Sequence, residues 1–373
     1  VYPRHAWAEI DLAAVVRNVR ALKGLTLPGT RFMAVVKADG YGHGAVEVAR
    51  AALAAGADRV GVATIAEAVE LREAGIDVPL HLLAEPPAEG AGEVVRHSVI
   101  PTVTSRTFAR ALGKAALLQG REAPYHLKVD TGMNRIGVRA EDVAEALTWL
   151  RAVPGIVMEG VFTHFATADT PGDWEFERQV QRFSAAIENL RTEGVRPALV
   201  HAANSAATIL HPATHLDLVR CGIAMYGLHP SEATRPAVAL EPVMSVKARV
   251  TYVKRVGLGD GVSYGFTWHA GGPTTIATIP LGYGDGVHRV LSNTMDVLIG
   301  GVRCTQVGRI CMDQFMVEVP SGVEAAQGDE VVLVGRQGGE SISLDHLAAV
   351  AGTINYEMAC GFGLRLDRRY RAV

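Results

Sequence analysis

RVGVATIAEAVELREAGIDVPLHLLA, residues 59–84, reads as a strand, a helix and a second strand. RVGVA (59–63) and PLHLLA (79–84) are short apolar runs rich in Val and Leu, the composition of strands buried on both faces. Between them, Thr64 with Glu67 three residues on forms a capping box. The threonine hydroxyl and the glutamate carboxylate take up amides that a helix start leaves unpaired. Gly75 supplies the stop, because a left-handed residue is what a helix C-terminus asks for.

The same alternation extends in both directions. FMAVVK (32–37) lies upstream; SVIPTV (98–103), YHLKVD (125–130), GVFTHF (160–165), ALVHAA (198–203) and LDLVRC (216–221) lie downstream, making eight strands. Asp11 can cap LAAVVRNVRALKG, closed by Gly24, and Gly194 ends the long helix that begins near Asp173. Eight strand–helix alternations predict an α/β fold, a TIM-type (β/α)8 barrel. A doubly wound open sheet is the alternative with the same local pattern. Near Leu240 the pattern changes. EPVMSVKARVTYVKRV alternates, with Met244, Val246, Ala248, Val250 and Tyr252 on one face. TTIATIPLG, MDVLIGG, QVGRI, FMVEV and DEVVLVG come after it, with one helix, SLDHLAAVAG, capped by Ser343. The expectation is a barrel over 1–240 and a mostly antiparallel β domain over 241–373, against which the first residues of the chain can pack.

Composition sets bounds on function. The 373 residues carry a net charge of −3, with 49% hydrophobic residues, so nothing resembles the basic footprint of a nucleic-acid binder. No apolar run reaches the roughly 18–20 residues that span a bilayer. The opening VYPRHAWAEI has no signal-like apolar region, and Cys221, Cys304, Cys311 and Cys360 form no CxxC pair. A reduced, cytoplasmic protein is expected.

A (β/α)8 barrel carries its chemistry at the C-terminal ends of its strands. Strand one ends in Lys37, a lysine on an apolar strand, where desolvation frees the amine for Schiff-base chemistry. Lys128 and Asp130 end strand five, with Arg135 in the loop beyond; His164 ends strand six; Asn204 and Ser205 come after strand seven; Arg220 lies on strand eight, before Gly222 and Ile223. Ser205, Gly222 and Ile223 suit a phosphate. GYGHG (40–44) and LGYGDG (281–286) match neither GxGxxG nor a Walker loop. HPATH (211–215) has a proline between its histidines and no HExxH glutamate, so no metal is expected. GxSxG is absent.

VVKADGYGHG (35–44), KVDTGMNRIGV (128–138), VFTHFATAD (161–169), HAANSAA (201–207), VRCGIAMYG (219–227), VSYGFTW (262–268), IPLGYGDG (279–286), GRICMDQFMV (308–317) and INYE (354–357) resemble, in order, nine blocks of the bacterial alanine racemases. The resemblance spans both domains. It implies a pyridoxal 5'-phosphate (PLP) enzyme, a cytoplasmic homodimer with shared active sites that supplies D-alanine for peptidoglycan. It makes Lys37 the cofactor lysine and Tyr264 the second catalytic base. Tyr41, Ser205, Gly222, Ile223 and Tyr356 would hold the phosphate, with Asn204 beside them. Arg220 would face the pyridine nitrogen and His164 would stand beside it. Arg135 would contact the cofactor oxygen and the substrate carboxylate. Met312 would offer that carboxylate its main-chain N–H, and Tyr283, Arg289 and Tyr356 would line the entrance. Tyr264, Tyr283, Met312 and Asp313 would serve the partner's site.

Racemisation needs bases on opposite faces of the α-carbon, the places implied for Lys37 and Tyr264. A phenol has a pKa of about 10, and His164 coupled to Arg220 is the expected source of positive charge to lower it. Arg220 can only donate to the ring nitrogen. Lys128 beside Arg135 would repel it as a cation, and the resemblance implies an N-carbamate there. A broad-specificity amino-acid racemase shares this mechanism. A non-catalytic PLP-binding homeostasis protein is a barrel without the β domain that this chain carries.

Overall fold

The computed structural model describes residues 4–371. Two compact units group by proximity. One comprises Ala14–Gly40 and Ala45–Glu241; the other takes the described residues through Ala13, Tyr41–Gly44 and those from Pro242 on.

The first unit is the barrel. Its eight barrel strands, among the described residues, are Arg31–Val35, Arg59–Val62, Leu80–Leu82, Val99–Ile100 continued by Thr102–Val103, Ala123–Asp130, Ile156–Phe162, Leu199–His201 and Leu218–Cys221, and a short extra strand, Val138–Arg139, pairs with the end of the fifth. Neighbours pair in parallel, with the eighth strand closing onto the first. Pro101 splits the fourth strand because it has no N–H to give. Val99 and Ile100 pair with the third strand, and Thr102 and Val103 with the fifth. At the seam between strands seven and eight, Asp217 N donates to Val200 O at 3.1 Å and Arg220 N to Ala203 O at 2.9 Å.

The helix Ile65–Glu73 has the capping box read from sequence: Thr64 accepts from Glu67 N, and Glu67 accepts in return. Asp173 caps Trp174–Thr192, and Gly75 and Gly194 take positive φ.

The second unit holds a ten-stranded sheet. Ala6–Asp11 pairs antiparallel with Met244–Arg249 and parallel with Asp367–Arg371. Three expectations need correction. The alternation from Met244 breaks at Val250–Thr251, between the strand ending at Arg249 and the strand Tyr252–Val256; Tyr252 is therefore exposed, while Val250 is buried. The strand expected at QVGRI runs instead from Val302 to Val307 and stops where Gly308 takes φ +72°. A second helix, Asn355–Gly361, comes after the expected Leu344–Ala351.

Candidate active site

The turn after the first barrel strand departs from the expected geometry. Strand one ends at Val35, not Lys37. Ala38, Asp39, Gly40, Tyr41 and Gly42 then all take positive φ, a left-handed turn that begins at Lys37. Each non-glycine residue there costs about 1–2 kcal/mol, so other contacts must hold the turn. Gly40 N donates to Val36 O at 2.8 Å, Ala38 N donates to Glu67 Oε1 at 2.7 Å, and Ala45 N donates to Asp39 Oδ1 at 2.9 Å. Glu67 thus serves two ends: one oxygen completes its own capping box and the other fixes the residue after Lys37.

Around Lys37 the barrel unit gathers positive charge. Lys128 is buried, and burial, aided by Arg135, Arg220 and Lys37, lowers its pKa to about 7. His164 sits in the same field. Burial first, then Arg220, Lys128, Arg135 and Lys37, hold it well below the ordinary imidazole value. It is therefore neutral, and the positive charge expected from it resides on Arg220. Arg220 donates to His164 Nδ1 at 3.2 Å, His201 Nδ1 at 3.0 Å, Thr163 O at 2.8 Å and Ala202 O at 2.9 Å. Burial draws its pKa down to about 9, which leaves a cation at neutral pH.

Asn204 caps the helix Ser205–Leu210, accepting from Ala207 N at 3.0 Å. Ser205 Oγ accepts from Gly222 N at 3.0 Å. Ile223 opens a 3-10 turn, and its amide is one of those a helix start leaves for an outside acceptor. A hydroxyl and main-chain amides at one place, with several cations nearby, fit an anionic, phosphate-bearing ligand. Asp130 is occupied otherwise, accepting from Gly132 N and Asn134 N. Arg135 is exposed in the next loop.

The β unit carries the other named residues. Tyr41 is buried, its ring 6.3 Å from that of half-buried Tyr356. Tyr264 is 73% exposed, yet its loop is firmly made. Val262 N donates to Trp268 O at 3.1 Å, Ser263 Oγ donates to Arg309 O at 2.6 Å, and Val262 packs in a cluster with Ile276 and Val307. Tyr283 N donates to Cys311 O, and Gly284 N to Met312 O. A Cβ at Gly282 would overlap both of those carbonyl oxygens, so the approach requires glycine. Buried Asp285 anchors this loop, accepting from Arg4 and Gly282 N and pairing with Arg365 at 3.3 Å, and Arg365 also pairs with Asp313 at 2.6 Å. Tyr283 and Met312 remain exposed on the resulting surface. Cys221 is buried, whereas Cys311 is half-buried.

Sequence reading missed one group. His81, His126 and His201 are fully buried on barrel strands, with Arg59 and Glu159 beside them. The signal for it was a histidine within each of three barrel strands, PLHLLA, YHLKVD and ALVHAA.

Known proteins resemble both units. A family model described as alanine racemase, N-terminal domain, matches residues 10–230, and one described as alanine racemase, C-terminal domain, matches residues 243–370. An alanine racemase of Desulfovibrio desulfuricans is 46% identical over 369 residues, 99% of each chain. The crystal structure of alanine racemase from Bacillus anthracis with bound L-Ala-P superposes with a TM-score of 0.95 at 39% identity, covering 100% of this chain and 96% of that one. A histidine racemase from Leuconostoc mesenteroides superposes at 0.91 with 31% identity, covering 100% and 99%.

Proposed function

The chain belongs to the alanine racemase family, and from that membership we infer that it interconverts L- and D-alanine, using PLP held at Lys37. The observation that carries this reading is the concentration of Lys37, Lys128, Arg135 and Arg220 in one electrostatic neighbourhood, beside the hydroxyl of Ser205 and the amides of Gly222 and Ile223. A phosphate and a carboxylate are the ligands such a site favours.

Ser205, Gly222, Ile223, Tyr41 and Tyr356 would hold the phosphate, with Asn204 fixing the helix start. Bound there, the cofactor supplies an electron sink that acidifies the α-hydrogen of an amino acid joined to it. Everything else falls to the chain. Arg220, which can only donate, would face the ring nitrogen as an acceptor and would leave it unprotonated. Arg135 takes the substrate carboxylate, with the Met312 N–H. The Lys37 amine exchanges the proton on the D face and the Tyr264 phenol on the L face. His164, accepting from Arg220 at Nδ1, keeps Nε2–H as a donor for the Tyr264 oxygen.

Tyr264, Phe266, Tyr283, Met312 and Ile354 are exposed on the β unit. So much aromatic and apolar surface on well-made loops suits burial by another chain. We assign it to a homodimer in which these loops complete the partner's site. Lys128 is assigned an N-carbamate. Its neutral amine adds to CO2 and releases one proton, turning a repelling cation into an anion that orients Arg135. No helix among the described residues is long and apolar enough to cross a membrane, and none of the four cysteines is in a disulfide, in keeping with a cytoplasmic enzyme feeding peptidoglycan synthesis.

Incubation with PLP and L-alanine in D2O tests the reading. D-alanine bearing α-deuterium is expected, with little turnover of L-serine, L-lysine or L-histidine. Faster turnover of those three would make it a broad-specificity racemase, and no exchange in any amino acid would overturn the assignment.

A further inference from the structure

Arg220 is buried among neutral acceptors: two carbonyl oxygens and two imidazoles. A buried guanidinium without a counter-ion is costly. The cations Lys128, Arg135 and Lys37 act in the same field as Arg220, with Asp130 opposing them at Lys128. The structure supplies an anion at a distance. His201 Nε2 lies 2.8 Å from His126 Nδ1, and His126 Nε2 lies 2.9 Å from Glu159 Oε2. Arg59 clamps the same carboxylate at 2.6 and 3.1 Å.

Elementary valence fixes the direction of this chain. Arg220 has no acceptor, so His201 Nδ1 must be bare and its Nε2 must carry the proton. That proton points at His126 Nδ1, so His126 carries its own at Nε2 and donates to Glu159. At the far end, burial raises the Glu159 pKa, but hydrogen bonds from His126 and Arg59 outweigh it and hold the carboxyl at about 2. It is an acceptor at neutral pH. Burial, with the surrounding cations, lowers the pKa of both histidines, so neither gains a second proton that would break the order.

The packing is built around these rings. A Cβ on Gly160 would fall 2.6–2.8 Å from three atoms of the His126 imidazole, so only glycine leaves room for it. His81 stands edge-on to His126 with centroids 4.0 Å apart, and neither of its own ring nitrogens has a hydrogen-bond partner. Phe162 stacks on His201 at 4.8 Å with an angle of 6°, and the Arg220 guanidinium carbon lies 5.4 Å from the same ring.

We propose that Glu159, His126 and His201 are positioning residues for Arg220, with Glu159 its remote counter-ion, acting through a hydrogen-bond chain whose donors all point one way. The proposal rests on the reading that Arg220 faces the cofactor ring. A polarised chain of this kind fixes where the guanidinium points and keeps its charge, without placing a carboxylate against the cofactor.

The test uses Glu159→Gln, Glu159→Asp and Gly160→Ala. In wild-type protein free of cofactor, 15N NMR is expected to find both His126 and His201 neutral and protonated at Nε2. Glu159→Gln, which can accept or donate, should lose that single pattern. In the holoenzyme it should lower kcat about tenfold, the scale seen when a group supporting a functional residue from behind is removed, with KM changed less than twofold. Glu159→Asp should restore part of kcat because it keeps the charge. Gly160→Ala should lower kcat in the same way by displacing His126, and it stands in if Glu159→Gln fails to fold. A doubly protonated ring or an Nδ1–H tautomer in the wild type would overturn the relay, as would a kcat within twofold of wild type in both Glu159→Gln and Gly160→Ala. A wild type that racemises alanine while the relay fails leaves the functional reading standing; a wild type with the expected tautomers and no racemisation removes that reading instead.

Discussion

The two units carry their polar chemistry in opposite ways. In the barrel, Arg220, Lys128, His126, His201 and Ser205 are buried, and hydrogen bonds tie Arg220 to His201 and His201 to His126 from strand to strand, and Ser205 to Gly222. In the β unit, Tyr264, Tyr283 and Met312 stand in solvent on loops that are themselves tightly hydrogen-bonded. A buried network is complete within its own chain. An exposed aromatic on a fixed loop has its position settled but not its partner. One half of the chemistry is thus self-contained and the other is presented outward, the arrangement a shared site requires.

The buried half should be the more sensitive to loss of a single group. Lys37→Ala should remove racemase activity by three orders of magnitude or more, on the order of losses seen when a covalent residue is deleted, with little change in melting temperature because the side chain is only half-buried. Next comes the outward half. Tyr264→Phe is expected to lower kcat roughly 100-fold or more while leaving α-deuterium exchange from D-alanine measurable, since on the proposed division Lys37 would still serve that face. Equal loss of exchange from both enantiomers would mean that the two residues do not divide the faces. A smaller effect attends Lys128. Intact protein under native conditions should weigh one CO2 more than acid-treated protein; equal masses would leave Lys128 a plain amine.

The smallest effect is on stability and belongs to the barrel alone. His81, His126, His164 and His201 are all held below the ordinary imidazole pKa, with burial the largest cause. As pH falls below about 6.5, the unfolded chain takes up protons that the folded chain refuses, so stability is present above that pH and declines below it. His81 makes no hydrogen bond. His81→Leu should therefore fold and reduce the acid slope by about 1.4 kcal/mol per pH unit, measured as melting temperature against pH. An unchanged slope would mean that His81 already takes up its proton in the folded state.

Legibility in the sequence tracks the range of the interactions. The barrel strands and the Thr64–Glu67 cap could be read because buried parallel strands are continuous apolar runs and caps act over three residues. The left-handed turn could not, since Ala38, Asp39 and Tyr41 have no local preference for positive φ strong enough to announce it and are held there by Glu67 and Asp39 contacts made in the fold. The positions of Lys37, Arg220 and Ser205 near strand ends were visible. The histidine chain was not, because it joins residues 33 and 75 positions apart. The helix carrying Tyr356 was too short to show a period, and Tyr252 changed face because one strand stopped at Arg249 and a new one began at Tyr252 itself.

In the proposed shared site, Lys37 of one chain would work with Tyr264 of another. Lys37→Ala and Tyr264→Phe proteins, each inactive as a racemase, would be mixed, dissociated, reassociated and assayed for D-alanine. Random pairing makes half the dimers mixed, each with one of two sites intact, so activity should return to about a quarter of the wild-type value. If the two residues act within a single chain, every site in every dimer lacks one of them, and activity would not return.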